Sequence, residues 1–305
     1  MDALSSIKPF FILGCGRSGT TVLQQALNRH SAIVVPPETR FFYRFVGRSM
    51  QAQRQYIATL NTQLGTSLEI PESEVQTRHD VRDCYHQLAS HFLREHGAKT
   101  CFGEKTPRHM LYVDRIAEVL PEAKLIVLFR DGRAVAQSRR KMPWASSDLL
   151  VNFADWLEYH HAWECLQAQA PLPYHYLRYE DLAASPEVEL RKIATFLGLP
   201  YEEAMHHGEG TAESFLPQEL PWKGRALEAI DASRVSSWQQ ELTNEELLRL
   251  ERWGRSALQA HGYPLLHDAQ DSGGTVRERI ALTVKRATRA VTVSIRSRTM
   301  GMYGL

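Results

Sequence analysis

Phe10 to Thr21 read FFILGCGRSGTT, an apolar run that ends in Gly14, Cys15, Gly16, Arg17, Ser18, Gly19, Thr20 and Thr21 before an amphipathic helix. A buried strand that turns through glycines into a helix gathers several backbone N–H groups at one point. The positive end of the helix dipole lies behind them. Such a turn holds a phosphate. It is not the Walker A loop, which needs G-x-x-x-x-G-K-[ST]. No lysine follows the second glycine here, and the cation, Arg17, sits inside the loop. A phosphate cradle without that lysine points to a nucleotide held for something other than γ-phosphoryl transfer. Lys124 to Arg139, KLIVLFRDGRAVAQSR, places Arg130 directly after a second buried-strand run and Ser138 on the helix that follows. An arginine where a parallel strand leaves the sheet can hold an anion at the carboxyl edge. Ser138, two turns along the same helix face, adds a hydroxyl. Two phosphate sites after two strands imply a ligand with two separate phosphates.

In that combination the chain resembles the sulfotransferases that use 3′-phosphoadenosine 5′-phosphosulfate (PAPS). In that family GxxRSGTT grips the 5′-phosphosulfate, and the strand-end arginine and the serine eight residues later grip the 3′-phosphate. The resemblance implies that Gly16, Arg17, Ser18, Gly19, Thr20 and Thr21 hold one end of PAPS, and Arg130 and Ser138 the other. Sulfuryl transfer then needs a base for the acceptor hydroxyl and a cation for the leaving phosphate oxygen, and demands no metal. Lys105, in FGEKTP just past a strand, emerges where ligands bind; the alternative is a surface lysine paired with Glu104. Hormone and phenol sulfotransferases carry Lys-Thr-His there, with the histidine as base. This chain has Pro107 at the third place, so that base is missing.

Glu38 supplies a substitute. Its setting, VPPETRFF, resembles the E-x-x-F-F pattern of heparan-type sulfotransferases and the E-T-R of tyrosylprotein sulfotransferases. In both branches this glutamate is the base and a lysine from a segment like EKTP assists. A base there needs a dry, partly apolar setting to raise its pKa, which Phe41 and Phe42 are placed to supply. Otherwise Glu38 caps the next helix or pairs with Arg40. The resemblance also places Tyr179 near the adenosine and its 3′-phosphate. Lys223, Gly224 and Arg225 resemble the late basic-glycine segment that closes over the nucleotide; a solvated basic turn is the competing reading. His109 and the pair His206–His207 have no third ligand at metal spacing, so no metal is expected.

Short apolar segments at Pro9–Leu13, Ile33–Val35, Thr100–Gly103, Lys124–Phe129 and Tyr174–Arg178 alternate with amphipathic helices. The pattern predicts an α/β fold, a three-layer sandwich around a central parallel sheet. The resemblance makes it the P-loop-NTPase-like sulfotransferase fold. One domain over 1–268 is expected, with 41–97 as a helical insertion over the cleft and Pro71-Glu72 as a cap within it. The aromatics of a helix over Asp148–Ala170 (Phe153, Trp156, Tyr159, Trp163) read as core. Ser185-Pro186-Glu187 opens another helix that ends at Gly198. His206–Asp231 reads as a long loop, and Thr243 to Glu246 as a capping box. Residues 269–305 read as a linker and a basic tail with apolar residues at helical spacing. That tail is expected to form a helix that packs, self-associates or touches a membrane surface.

The chain has 305 residues, 43% of them apolar, and a net charge of +1, which gives no bulk attraction to nucleic acid. Four cysteines without paired spacing suggest free thiols in a reducing compartment. The N-terminus lacks the pattern of a signal peptide, and no apolar run is long enough to span a bilayer, so a cytoplasmic, bacterial enzyme is expected. The leading function is sulfuryl transfer from PAPS to an acceptor hydroxyl or amine on a carbohydrate, tyrosine, lipid or small molecule. The competitors are a small-molecule kinase and a non-catalytic nucleotide-binding scaffold. The missing GK[ST], and an Asp131 expected to pair with a neighbouring arginine, weigh against the kinase.

Overall fold

The computed structural model describes residues 7–267 except 70, 74, 76, 98, 208–214, 217, 218, 228–231, 233 and 234, together with residue 283. The expected basic helix within 269–305 therefore lies outside the described residues. Five strands, β1 (Lys8–Gly14), β2 (Ile33–Val34), β3 (Cys101–Lys105), β4 (Lys124–Phe129) and β5 (Tyr174–Arg178), form one parallel sheet in the order β2-β3-β1-β4-β5. The chain leaves β1 toward β2 on one side and leaves β4 toward β5 on the other. The switch point therefore falls between the carboxyl ends of β1 and β4, where open parallel sheets bind ligands.

A parallel sheet must be covered on both faces, and strand alternation sorts its side chains accordingly. Phe10, Ile12, Ile126 and Leu128 pack under α1 (Thr20–Asn28) and, further along the chain, under Leu182, Leu190 and Ile193. Phe11, Leu13, Leu125 and Val127 face the opposite layer. That layer contains α2 (Phe41–Arg44), α3 (Met50–Leu64), α4 (Arg78–Glu95), α5 (Val113–Val119), α6 (Gly132–Arg140) and α7 (Leu149–Gln169). The remaining helices are α8 (Tyr179–Ala184), α9 (Pro186–Leu197), α10 (Leu220–Lys223), α11 (Trp238–Glu241) and α12 (Asn244–Ala260).

The segment read as an insertion shares the main core. Tyr56, Ile57 and Leu60 of α3 and Tyr85, Leu88 and Phe92 of α4 are buried with Phe11 and Phe102. Among the described residues, Pro71 and Glu72 cap no helix. Instead α3 stops at Gly65 and α4 starts from Thr77, whose hydroxyl and the Asp80 carboxylate make a capping box. The expected long loop contains α10 and a 3-10 turn, Gly224–Leu227, packed against α1. The aromatic helix runs between an Asp148 cap and Ala170 with Phe153 and Trp156 fully buried, as its spacing implied.

Candidate active site

The turn after β1 is shaped by backbone that most residues avoid. Gly14 has φ 147, and a Cβ on it would stand 2.2 Å from the Leu128 carbonyl oxygen of β4. Arg17 takes φ 81 and Gly19 φ 95, both in the left-handed region. With Gly19 as N-cap of α1, that residue offers the first-turn amides no capping side chain. Ser18 is fully buried, and among the described residues its Oγ has no hydrogen-bond partner. Arg17 Nε donates to Ser138 Oγ at 3.1 Å across a separation of 121 residues. The two stretches singled out by their spacing thus meet at the carboxyl edge.

The end of β4 joins the same place. The Arg130 guanidinium lies 4.7 Å from the centre of the Tyr179 ring. That ring occupies the space a Gly19 side chain would need, 2.3 Å from an ideal Cβ. Trp156 Nε1 donates to the Arg130 carbonyl at 3.1 Å, and the Asp131 amide donates to Glu180 at 3.0 Å, which pins the corner. Asp131 caps α6 and pairs with Arg133 at 2.7 Å, so the acid that could serve a kinase metal is engaged. Gly19→Ala is expected to carry the roughly 1–2 kcal/mol left-handed penalty and to displace Tyr179. A lower melting temperature and a changed Tyr179 environment by fluorescence would show both.

One strand further out lies a cluster of acids and lysines. Lys105, the last residue of β3, is fully buried and donates to Glu38 Oε1 at 2.6 Å. Lys223 Nζ donates to the same oxygen at 2.9 Å and lies 2.9 Å from Glu219. Arg40 stands 3.9 Å from Glu38. Lys105 is thus neither exposed nor paired with Glu104. Burial pushes its ammonium down, Glu38 restores only part of that, and its pKa settles at about 8.

The expected raised pKa of Glu38 is not found. Phe41 and Phe42 turn into the core. Burial alone would push the carboxyl up, but Lys105, Lys223 and Arg40 outweigh it and hold it well below the usual carboxylate range. Lys223, read from its setting as a nucleotide ligand, is brought to Glu38. Gly224 opens the turn against α1, and the Arg225 side chain lies outside the described residues.

A buried group escaped the sequence reading. Glu104 points to the face of β3 opposite Lys105 and accepts from the Thr39 hydroxyl and, at 3.0 Å, the Thr106 hydroxyl. His109 Nδ1 lies 3.3 Å from the same carboxylate. Burial, only partly offset by those hydroxyls, lifts Glu104 to about 7. Burial likewise pushes the His109 ring to about 3, so it is neutral. His109 sits beside this network.

The glycine turn after β1, the strand-end Arg130 at the switch point and the Glu38–Lys105 pair one strand away thus share the carboxyl edge of the sheet. Residues 9–203 match the sulfotransferase family model. The chain belongs to the sulfotransferase family. It is 29% identical over 210 residues to protein-tyrosine sulfotransferase 1 of Danio rerio, a match spanning 65% of this chain and 55% of that protein. It is 27% identical over 294 residues to nodulation protein NoeE of Sinorhizobium fredii, spanning 86% of this chain and 68% of that one. The sulfotransferase domain of the Synechococcus PCC 7002 olefin synthase has the same fold, with a TM-score of 0.59 at 18% identity over 85% of this chain and 95% of that domain.

Proposed function

We propose that the chain transfers a sulfuryl group from PAPS to an acceptor hydroxyl, with Glu38 as base and Lys105 assisting departure of the leaving group. The observation that carries this reading is the 2.6 Å contact between Lys105 and Glu38 at the carboxyl edge, one strand from the phosphate turn. PAPS, when bound, supplies the sulfuryl group and the phosphate that leaves. The residues present suit it: among the described residues the buried Ser18 hydroxyl has no partner, the first-turn amides of α1 have no capping side chain from Gly19, and the Tyr179 ring lies against Gly19.

Arg17 and the amides of Ser18 to Thr21 would hold the 5′ end, and Arg130 and Ser138 the 3′-phosphate. Glu38, held ionised, takes the acceptor proton as the acceptor oxygen bonds to sulfur. Lys105 offers its positive charge to the bridging oxygen as the S–O bond breaks. Drawing that charge away from Glu38 also relaxes the main cationic restraint on its basicity. The names of matched relatives make tyrosyl peptides the first acceptors to try.

Adenosine 3′,5′-bisphosphate at about 100 times its Kd should stabilise the protein by about 2.7 kcal/mol, roughly 4–5 °C for a domain of this size. ATP with Mg²⁺ should do far less. Equal or stronger protection by ATP would favour the kinase reading instead.

A further inference from the structure

Three consecutive backbone amides after Glu38 are held by three different side chains gathered around one carboxylate. The Arg40 N–H donates to Thr106 Oγ1 at 3.1 Å, the Phe41 N–H to Thr39 Oγ1 at 3.3 Å, and the Phe42 N–H to His109 Nε2 at 3.1 Å. Each acceptor is thereby committed on that side and turns its own proton the other way. The Thr39 and Thr106 hydroxyls both donate to Glu104 Oε1, and His109 Nδ1 stands 3.3 Å from that oxygen without a hydrogen bond to it. Glu104, His109, Thr39 and Thr106 are all buried.

These amides belong to the first turn of α2, where a helix leaves donors without intrahelical partners. A four-residue helix cannot hold its own start, and Arg40 sits there at φ 62, a conformation that needs support from its surroundings. We propose that Glu104 is a positioning residue for the reaction: through its hydrogen bonds from Thr39 and Thr106, with His109 packed beside them, it fixes the backbone that follows Glu38 and so aims the Glu38 carboxylate. The assignment rests on Glu38 being the base. Glu104 lies on the face of β3 away from Lys105, so it acts through the loop and not on the reacting atoms.

A kinetic double-mutant cycle tests this. Glu104→Gln keeps the shape but replaces one carboxyl oxygen with an NH2 donor, and is expected to lower kcat roughly 10- to 100-fold. The KM for PAPS and the Kd of adenosine 3′,5′-bisphosphate should change less than twofold. In a Glu38→Gln background the same substitution should alter the residual single-turnover rate less than twofold, because there is no base left to aim. A loss as large in that background as in wild type would overturn the positioning role while leaving Glu38 as base. Normal turnover by Glu38→Gln alone would remove the base, and the assignment with it. Thr39→Val removes one spoke at nearly constant volume and should give the same kcat-selective loss, with Thr39→Ser retaining turnover. Wild-type turnover by Thr39→Val overturns the proposal even where Glu104→Gln does not fold.

Discussion

Glu38→Gln is expected to lower kcat by about 10²- to 10⁴-fold, the usual contribution of a positioned base, with nucleotide affinity retained. The amide cannot take a proton, while the turn around Arg17 and the Arg130 corner lie on other strands and stay intact. Losing the carboxylate also leaves Lys105 and Lys223, both buried, facing each other without the shared anion. Their mutual repulsion should lower the melting temperature, and a buried charge stripped of its partner is costly. Rapid-quench turnover with a tyrosyl or phenolic acceptor, run beside calorimetry with adenosine 3′,5′-bisphosphate, separates chemistry from binding. Lost affinity with unchanged single-turnover rate would place Glu38 in nucleotide binding.

Lys105→Met should cost about 10²- to 10³-fold in kcat, comparable to removing one preorganised donor from a developing oxyanion. The wild-type enzyme should show the same dependence through pH. The ammonium is the charged form below about 8, so a step that uses it proceeds fully below that pH and declines as pH rises through about 8. Glu38, depressed far below neutrality, stays ionised across this window and adds no limb there. A guanidinium does not titrate in this range, so Lys105→Arg should flatten the decline in whatever activity it keeps. A wild-type kcat/KM that rises through pH 8 would show Lys105 acting as the neutral amine.

The two strand-end turns that carry Arg17 and Arg130 were legible in the sequence because their signals are local. β4 and β5 run over Lys124–Phe129 and Tyr174–Arg178, the spans the apolar pattern implied. The glycine turn after β1 and the arginine after β4 then fall at the switch point by topology alone. What reached further along the chain was misread. The basicity of Glu38 was judged from Phe41 and Phe42, three and four residues away, yet it is decided by Lys105 and by Lys223, 185 positions distant. Glu104 entered only in the alternative reading, as the partner of a surface Lys105. Strand alternation instead sends the two side chains to opposite faces, and Glu104 meets Thr39 across 65 residues. His109 carried no sign in sequence that its ring would receive the Phe42 amide. β3 also continues to Lys105, two residues past the expected end, because its register with β1 carries on to Ile12. The lysine is thereby fixed in the sheet, which a mobile surface residue would not be.

A crystal structure with adenosine 3′,5′-bisphosphate tests the account most directly. The 5′-phosphate is predicted against Arg17 and the amides of Ser18 to Thr21, the 3′-phosphate between Arg130 and Ser138, and Lys105 on the side from which an acceptor would reach Glu38. A nucleotide seated away from Arg17 and Arg130, or in the reverse orientation with its 3′-phosphate in the glycine turn, would contradict it.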